Sequence, residues 1–220
     1  MAETIDQDRP DLAVWIRAWL AARSAARGLP APVEDAGGYR VDVHAPDEVR
    51  RWVFPRVGPA VTALAQGLAQ PRHFIKACAP PDQLLAALPP AWRIALPGYF
   101  MRGPGRAPQA LPVPGYRCER RVEAGLSEVR ILTEAGELAA SGHAAETAGV
   151  FIYDRIITEP AHQRRGLGRL LMRELGACRI EARAPELLVA TAAGRALYEA
   201  LGWTVLSPFS TAFLPDLPAG

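Results

Sequence analysis

The run Gln163-Arg164-Arg165-Gly166-Leu167-Gly168-Arg169 puts three arginines and two glycines between an apolar, β-branched segment and an amphipathic one. Such a junction suits an anion. The first turn of a helix leaves backbone N–H groups without partners, and the helix dipole concentrates partial positive charge at the same place. Glycines at 166 and 168 would let a phosphate approach that backbone with no Cβ in the way. Arg164, Arg165 and Arg169 add full charges, and guanidinium groups pair well with phosphate oxygens, so a pyrophosphate fits. The plainer alternative is a tight strand-to-helix turn beside a solvated basic face.

The flanking elements place this turn. Val150-Phe151-Ile152-Tyr153, continued by Ile156-Ile157-Thr158, reads as a largely buried strand that Pro160 stops. Leu170, Leu171 and Leu175 then mark a helix. The dinucleotide fingerprint fails because Leu171 stands where its third glycine belongs, and no G-x-x-x-x-G-K-[ST] run exists. Farther on, Glu186–Thr191 reads as another buried strand, 194–203 as a short helix closed by Gly202, and Thr204-Val205-Leu206 as a further strand.

The spacing Q-x-x-G-x-G after a strand ending in Glu159-Pro160 resembles the acyl-CoA signature of the GNAT N-acetyltransferase superfamily. The later stretch G-R-A-L-Y-E-x-L-G-W, between two strands, resembles that superfamily's closing segment. The likeness runs from about Tyr116 to Ser210. It implies an α/β fold with a mixed sheet flanked by helices, and transfer of an acetyl group from acetyl-CoA to a primary amine by direct attack, with no metal. By position it implies that Gln163, Arg164, Arg165, Gly166, Leu167, Gly168 and Arg169 hold the CoA pyrophosphate. Backbone groups of Ile156, Ile157 and Thr158 would meet the pantetheine and the thioester carbonyl, and Tyr198 would give a proton to the departing sulfur.

Asp154, in an otherwise apolar run, is the best carboxylate for a general base; paired with Arg155 it would instead be structural. Glu159 is expected to face solvent, and His143 and His162, outside any motif, read as structural. A base need not exist, since many members of the family deprotonate their substrate through water. Two other functions fit the same residues: a catalytically silent CoA-sensing or partner-binding module, and transfer from a longer acyl donor. The acceptor, a small-molecule or peptide amine, is assembled from elements that one sequence does not identify.

Composition narrows the rest. Half of the 220 residues are hydrophobic, enough for one large core or two small ones, and the net charge of +2 gives no warrant for a nucleic-acid partner. Cys78, Cys118 and Cys178 lack disulfide or zinc spacing. With no apolar leader or membrane-length stretch, a soluble cytoplasmic protein is expected.

The N-terminal lobe, 1–96, alternates helix and strand. Asp8 and Pro10 are expected to open a helix carrying Leu12, Trp15, Trp19 and Ala22 on one face. A strand over 39–44, helices over 47–54 and 61–68, a strand over 73–78 and a helix over 81–88 follow. This lobe is either a degenerate GNAT-like half or the family's first strand and helices enlarged. Prolines 97, 104, 108, 112 and 114 make 97–115 read as a linker too broken for regular structure, with Tyr99, Phe100 and Met101 as candidate substrate contacts. The acetyl-CoA-binding domain then spans 116–220, opening with strands over 117–122, 129–133 and 137–143, the last two joined by the turn 134–136.

Overall fold

The computed structural model describes residues 11–215. Helix α1, Leu12–Ala26, starts where the Asp11 carboxylate accepts the Ala13 N–H at 2.9 Å, which supplies one of the first turn's missing acceptors. The expected start at Asp8 and Pro10 lies outside the described residues. Strands β1 (Val33–Asp35), β2 (Gly38–Asp42) and β3 (Arg50–Phe54) follow, then α2 (Pro59–Gly67), β4 (His73–Ala77) and α3 (Pro81–Ala86). After the two-residue β5 (Arg93–Ile94) and β6 (Gly98–Arg102) come β7 (Tyr116–Glu123), β8 (Leu126–Thr133), β9 (Leu138–Thr147) and β10 (Val150–Thr158). Helix α4 (Leu167–Gly176), β11 (Glu186–Thr191), α5 (Ala192–Ala200) and β12 (Thr204–Phe213) complete the chain.

All strands join one mixed sheet in the order β1-β2-β3-β4-β12-β6-β11-β10-β9-β8-β7, with β5 paired to β12. Helix α1 crosses one face of this sheet, burying Ile16, Trp19 and Leu20 against Val53, Phe100, Ile152 and Phe209. On the opposite face α4 and α5 cover one half, around Phe151, Leu171 and Leu188, and α2 and α3 cover the other, around Trp52, Ile75 and Leu84. Fully removing such side chains from water contributes about 2 kcal/mol each, so α1, which serves both halves, fixes them to one another.

Two expectations are corrected. Residues 47–54 do not form a helix: Arg50–Phe54 is β3, parallel to β4. Its period is two, with Trp52 and Phe54 turned toward α2 and α3 and Val53 toward α1. Nor is 97–115 devoid of regular structure, since Gly98–Arg102 is β6, hydrogen-bonded on both sides to β11 and β12. Its prolines stand outside the strand, at 97 and 104, where they cost no ladder hydrogen bond. Tyr99, Phe100 and Met101 therefore lie in the middle of the sheet.

The two halves repeat one order. Three antiparallel strands, a helix, a parallel strand, a helix and a closing strand describe β1-β2-β3-α2-β4-α3-β6, and equally β8-β9-β10-α4-β11-α5-β12. The closing strands are exchanged: β6 pairs with β11 of the second half, β12 with β4 of the first, and the two pair with each other. The N-terminal lobe is thus a degenerate copy of the same half-fold.

Candidate active site

The copies differ where it matters for chemistry. In the first, β3 and β4 stay in register for five successive pairs, from Arg50 with His73 to Phe54 with Ala77. In the second, β10 and β11 are in register only at Phe151 with Glu186 and Ile152 with Leu187. Beyond Ile152 they part. A bulge between Asp154 and Ile157, with Arg155 at a φ of 52°, turns β10 away while it keeps its pairing to β9. The backbone edge of Ile156, Ile157 and Thr158 that would face β11 is left without a strand partner.

A cavity of about 590 Å³ fills this gap. Its walls come from both faces of the sheet: Tyr153, Leu188 and Tyr198 from the α4 and α5 side, Trp19, Val53 and Phe209 from the α1 side. Tyr198 is 7% exposed, and burial alone pushes its phenol up to about 12. At neutral pH the phenol therefore keeps its proton.

The basic bend lies at the outer end of β10. Arg164 (φ 60°) and Gly166 (φ 82°) take left-handed backbone, and Gly166 caps α4 without a side chain. The first helical bond is donated by Leu170 to the Gly166 carbonyl, so the amides of Leu167, Gly168 and Arg169 point outward for an external acceptor. Arg164, Arg165 and Arg169 are exposed around them, whereas the Leu167 side chain is buried and only its backbone can serve a ligand. The Gln163 amide donates to the Thr158 carbonyl at 3.3 Å, closing the bend onto β10. A Cβ at Gly166 would meet nothing within 4 Å, which leaves room for a phosphate. The missing Cβ of Gly168 serves packing: a Cβ there would lie 2.9 Å from Leu197, so this glycine lets α4 and α5 pack closely while its amide stays at the bend.

Sequence reasoning passed over Tyr116, which holds His162, the histidine read as structural. The Tyr116 hydroxyl accepts from Arg165 at 3.1 Å and lies 3.0 Å from His162 Nδ1, so the pair steadies one arginine of the bend. Residues this far apart in the chain meet only because β7 and the turn after β10 end on the same side.

Asp154 lines the cavity, but its carboxylate is engaged. Arg27 holds both oxygens at 2.6 and 2.9 Å, and Arg23 and Arg155 each stand 3.6 Å away. The expected pair with Arg155 is therefore the weaker part of a larger cluster. His143 is paired opposite Asp154 on β9, and burial together with Arg155 lowers its pKa. Glu159 lies just past the end of β10, half-buried.

Arg23, Arg27 and Lys76 also line the cavity and were not singled out from the sequence. A signal was present: the apolar stripe Trp15 and Trp19 continues at the same spacing into Arg23 and Arg27, so the buried face of α1 becomes basic. Glu186, 2% exposed, accepts from the Tyr153 hydroxyl at 2.6 Å and the Gly105 N–H at 2.9 Å, which seats the loop after β6. Among the described residues no group of three His, Cys, Asp or Glu could hold a metal, and no helix is long and apolar enough to cross a membrane.

Residues 127–205 match the family model described as an acetyltransferase (GNAT) domain. A comparison with curated proteins finds no match. Among solved structures, a GCN5-related N-acetyltransferase from Kribbella flavida superposes with a TM-score of 0.63 at 16% identity, covering 93% of this chain and 96% of that one. A GCN5-related N-acetyltransferase-like protein from Streptococcus suis 89/1591 gives 0.58 at 11% identity, with 95% of each chain covered. A GCN5-related N-acetyltransferase from Sphaerobacter thermophilus gives 0.53 at 14%, again with 95% of each covered. At these identities the likeness is one of fold.

Proposed function

From the GNAT acetyltransferase domain that residues 127–205 carry, we propose that this protein moves an acetyl group from acetyl-CoA to the primary amine of a small molecule or peptide. One observation carries the reading above all: β10 and β11 part after Ile152, and the gap opens onto Tyr198. In this reading the diphosphate rests on the amides of Leu167, Gly168 and Arg169 with Arg164 and Arg165 beside it. The pantetheine runs along the free edge of Ile156, Ile157 and Thr158, and the sulfur lies next to Tyr198.

The amine nitrogen attacks the thioester carbonyl carbon, forming the C–N bond and placing charge on the oxygen. Backbone N–H groups on the parted edge stabilise that charge. The C–S bond then breaks, the Tyr198 phenol protonates the thiolate, and the amine proton leaves to water. Asp154, held at both oxygens by Arg27, serves as an anchor for α1 in this scheme, and no dedicated base is assigned. Three free cysteines agree with work in a reducing cytoplasm.

The test has two readouts. Saturating acetyl-CoA raises the melting temperature, and an amine panel releases free thiol. A melting shift with no thiol release would favour a CoA-sensing module, and no shift at all would sink cofactor binding. Competition among acyl-CoAs of increasing length identifies the preferred donor.

A further inference from the structure

The wall of the cavity facing away from Tyr198 is basic. Among the described residues its charged lining is Arg23, Arg27, Lys76 and Arg155 against Asp154 alone. Arg27 spends its charge on Asp154, which leaves a surplus of cation around Lys76. Lys76 is the only lysine in a chain whose other 24 Lys/Arg positions are arginine. It sits in the middle of β4, between β3 and β12, with its side chain 15% exposed and its ammonium 5.5 Å from the Phe74 ring centre.

Its ion-pair partner does not satisfy it. Glu48 Oε1 stands 3.8 Å from the ammonium, beyond hydrogen-bonding distance, and the other oxygen of that carboxylate accepts from Arg51 at 2.7 Å, so one carboxylate faces two cations. Arg51 is 2% exposed, and its Nε finds no partner among the described residues. Desolvation holds the Lys76 pKa down to about 8 and that of Arg51 to about 10, so both remain cationic at neutral pH. A buried cation surplus of this kind is costly until an anion arrives.

Resting on the acyltransferase reading, we propose that the acceptor is a small primary amine bearing a carboxylate, of the amino-acid class. Its carboxylate seats against Lys76 and Arg23, and its amine points into the gap between β10 and β11. Polyamines and other polycations are repelled by the same wall. The wall also favours the uncharged form of the incoming amine, the form that attacks. The cavity's 590 Å³ suits a small acceptor beside the acyl end.

The experiment measures thiol release by the full chain, saturated with acetyl-CoA, from matched amines that differ only at the far end. Amino acids are compared with their amides and with diamines of equal length, as in β-alanine, β-alaninamide and 1,3-diaminopropane. The carboxylate members are expected to lead in kcat/KM by about tenfold or more. Lys76→Met should raise KM for them with little change in kcat and an intact melting shift with acetyl-CoA, and Lys76→Arg should restore part of the preference. Equal or better use of the amide or the diamine, or a preference untouched in Lys76→Met, overturns the proposal while leaving the transferase reading standing. Failure of acetyl-CoA to bind, or binding without thiol release from any amine, overturns both.

Discussion

Arg27 and Asp154, 127 residues apart in the chain, meet through two hydrogen bonds of 2.6 and 2.9 Å. The contact joins the residue that closes α1 to the bulge at which β10 leaves β11. It ties the covering helix of both halves to the wall of the cavity. Asp154→Asn is therefore expected to lower stability by about 2 kcal/mol, a figure below that for a fully buried pair because Arg27 remains partly exposed. Its acidic rate limb should stay where it is. A flattened limb at unchanged stability would return Asp154 to the role of base.

At the basic bend, Gly166→Val should fold with a strain of about 1–2 kcal/mol, since φ is +82° but the space beyond is open. The melting shift caused by acetyl-CoA should disappear. Gly168→Ala should act on stability instead, through Leu197, and keep the shift. Calorimetry of each variant with and without acetyl-CoA separates the two; a retained shift in Gly166→Val would place the diphosphate elsewhere.

Tyr198→Phe should lower kcat by about a hundredfold with little effect on acetyl-CoA affinity, the usual scale for loss of a general acid. Because burial raises the phenol to about 12, the wild-type rate should show no basic limb from this group below pH 11. A limb near pH 10 that vanishes in the variant would mean that the phenol is less desolvated than its packing indicates.

Lys76 links stability to pH. The folded chain gives up the ammonium proton near pH 8, while the unfolded chain keeps it to about 10.5. Between those values the unfolded state binds more protons, so this residue makes stability rise with pH. Cys78, raised by burial to about 12, contributes the opposite slope above pH 9. The difference between wild type and Lys76→Met isolates the lysine. That difference should disadvantage wild type by about 1 kcal/mol or more at pH 7 and shrink toward pH 10.5. A pH-independent difference would contradict the burial of the ammonium.

The exchange of β6 and β12 predicts that neither half folds alone. Residues 116–220 expressed without the rest lack β6 between β11 and β12 and β4 on the far side of β12, leaving β11 unpaired on one edge and β12 on both. They should be unfolded or aggregated by circular dichroism and recover structure when 1–115 is supplied. A cooperative melt of 116–220 by itself would refute this.

The sequence alone determined the local chemistry: β10 from its β-branched run, the arginine and glycine bend, α4 from its leucine spacing, and Tyr198 on a helix closed by Gly202. Each rests on neighbours within a few residues, where periodicity and turn chemistry act directly. Tertiary structure decided what depends on distant contact. Arg50–Phe54 became a strand because β4 offered a parallel edge through α2. Gly98–Arg102 became the strand joining the halves because two partners converged on it. Asp154 is held at both oxygens because α1 brings Arg27 to it, and Lys76 entered the cavity because β12 returns to pair with β4. Those pairings join residues scores of positions apart, and no local pattern encodes which edge will be free to receive them.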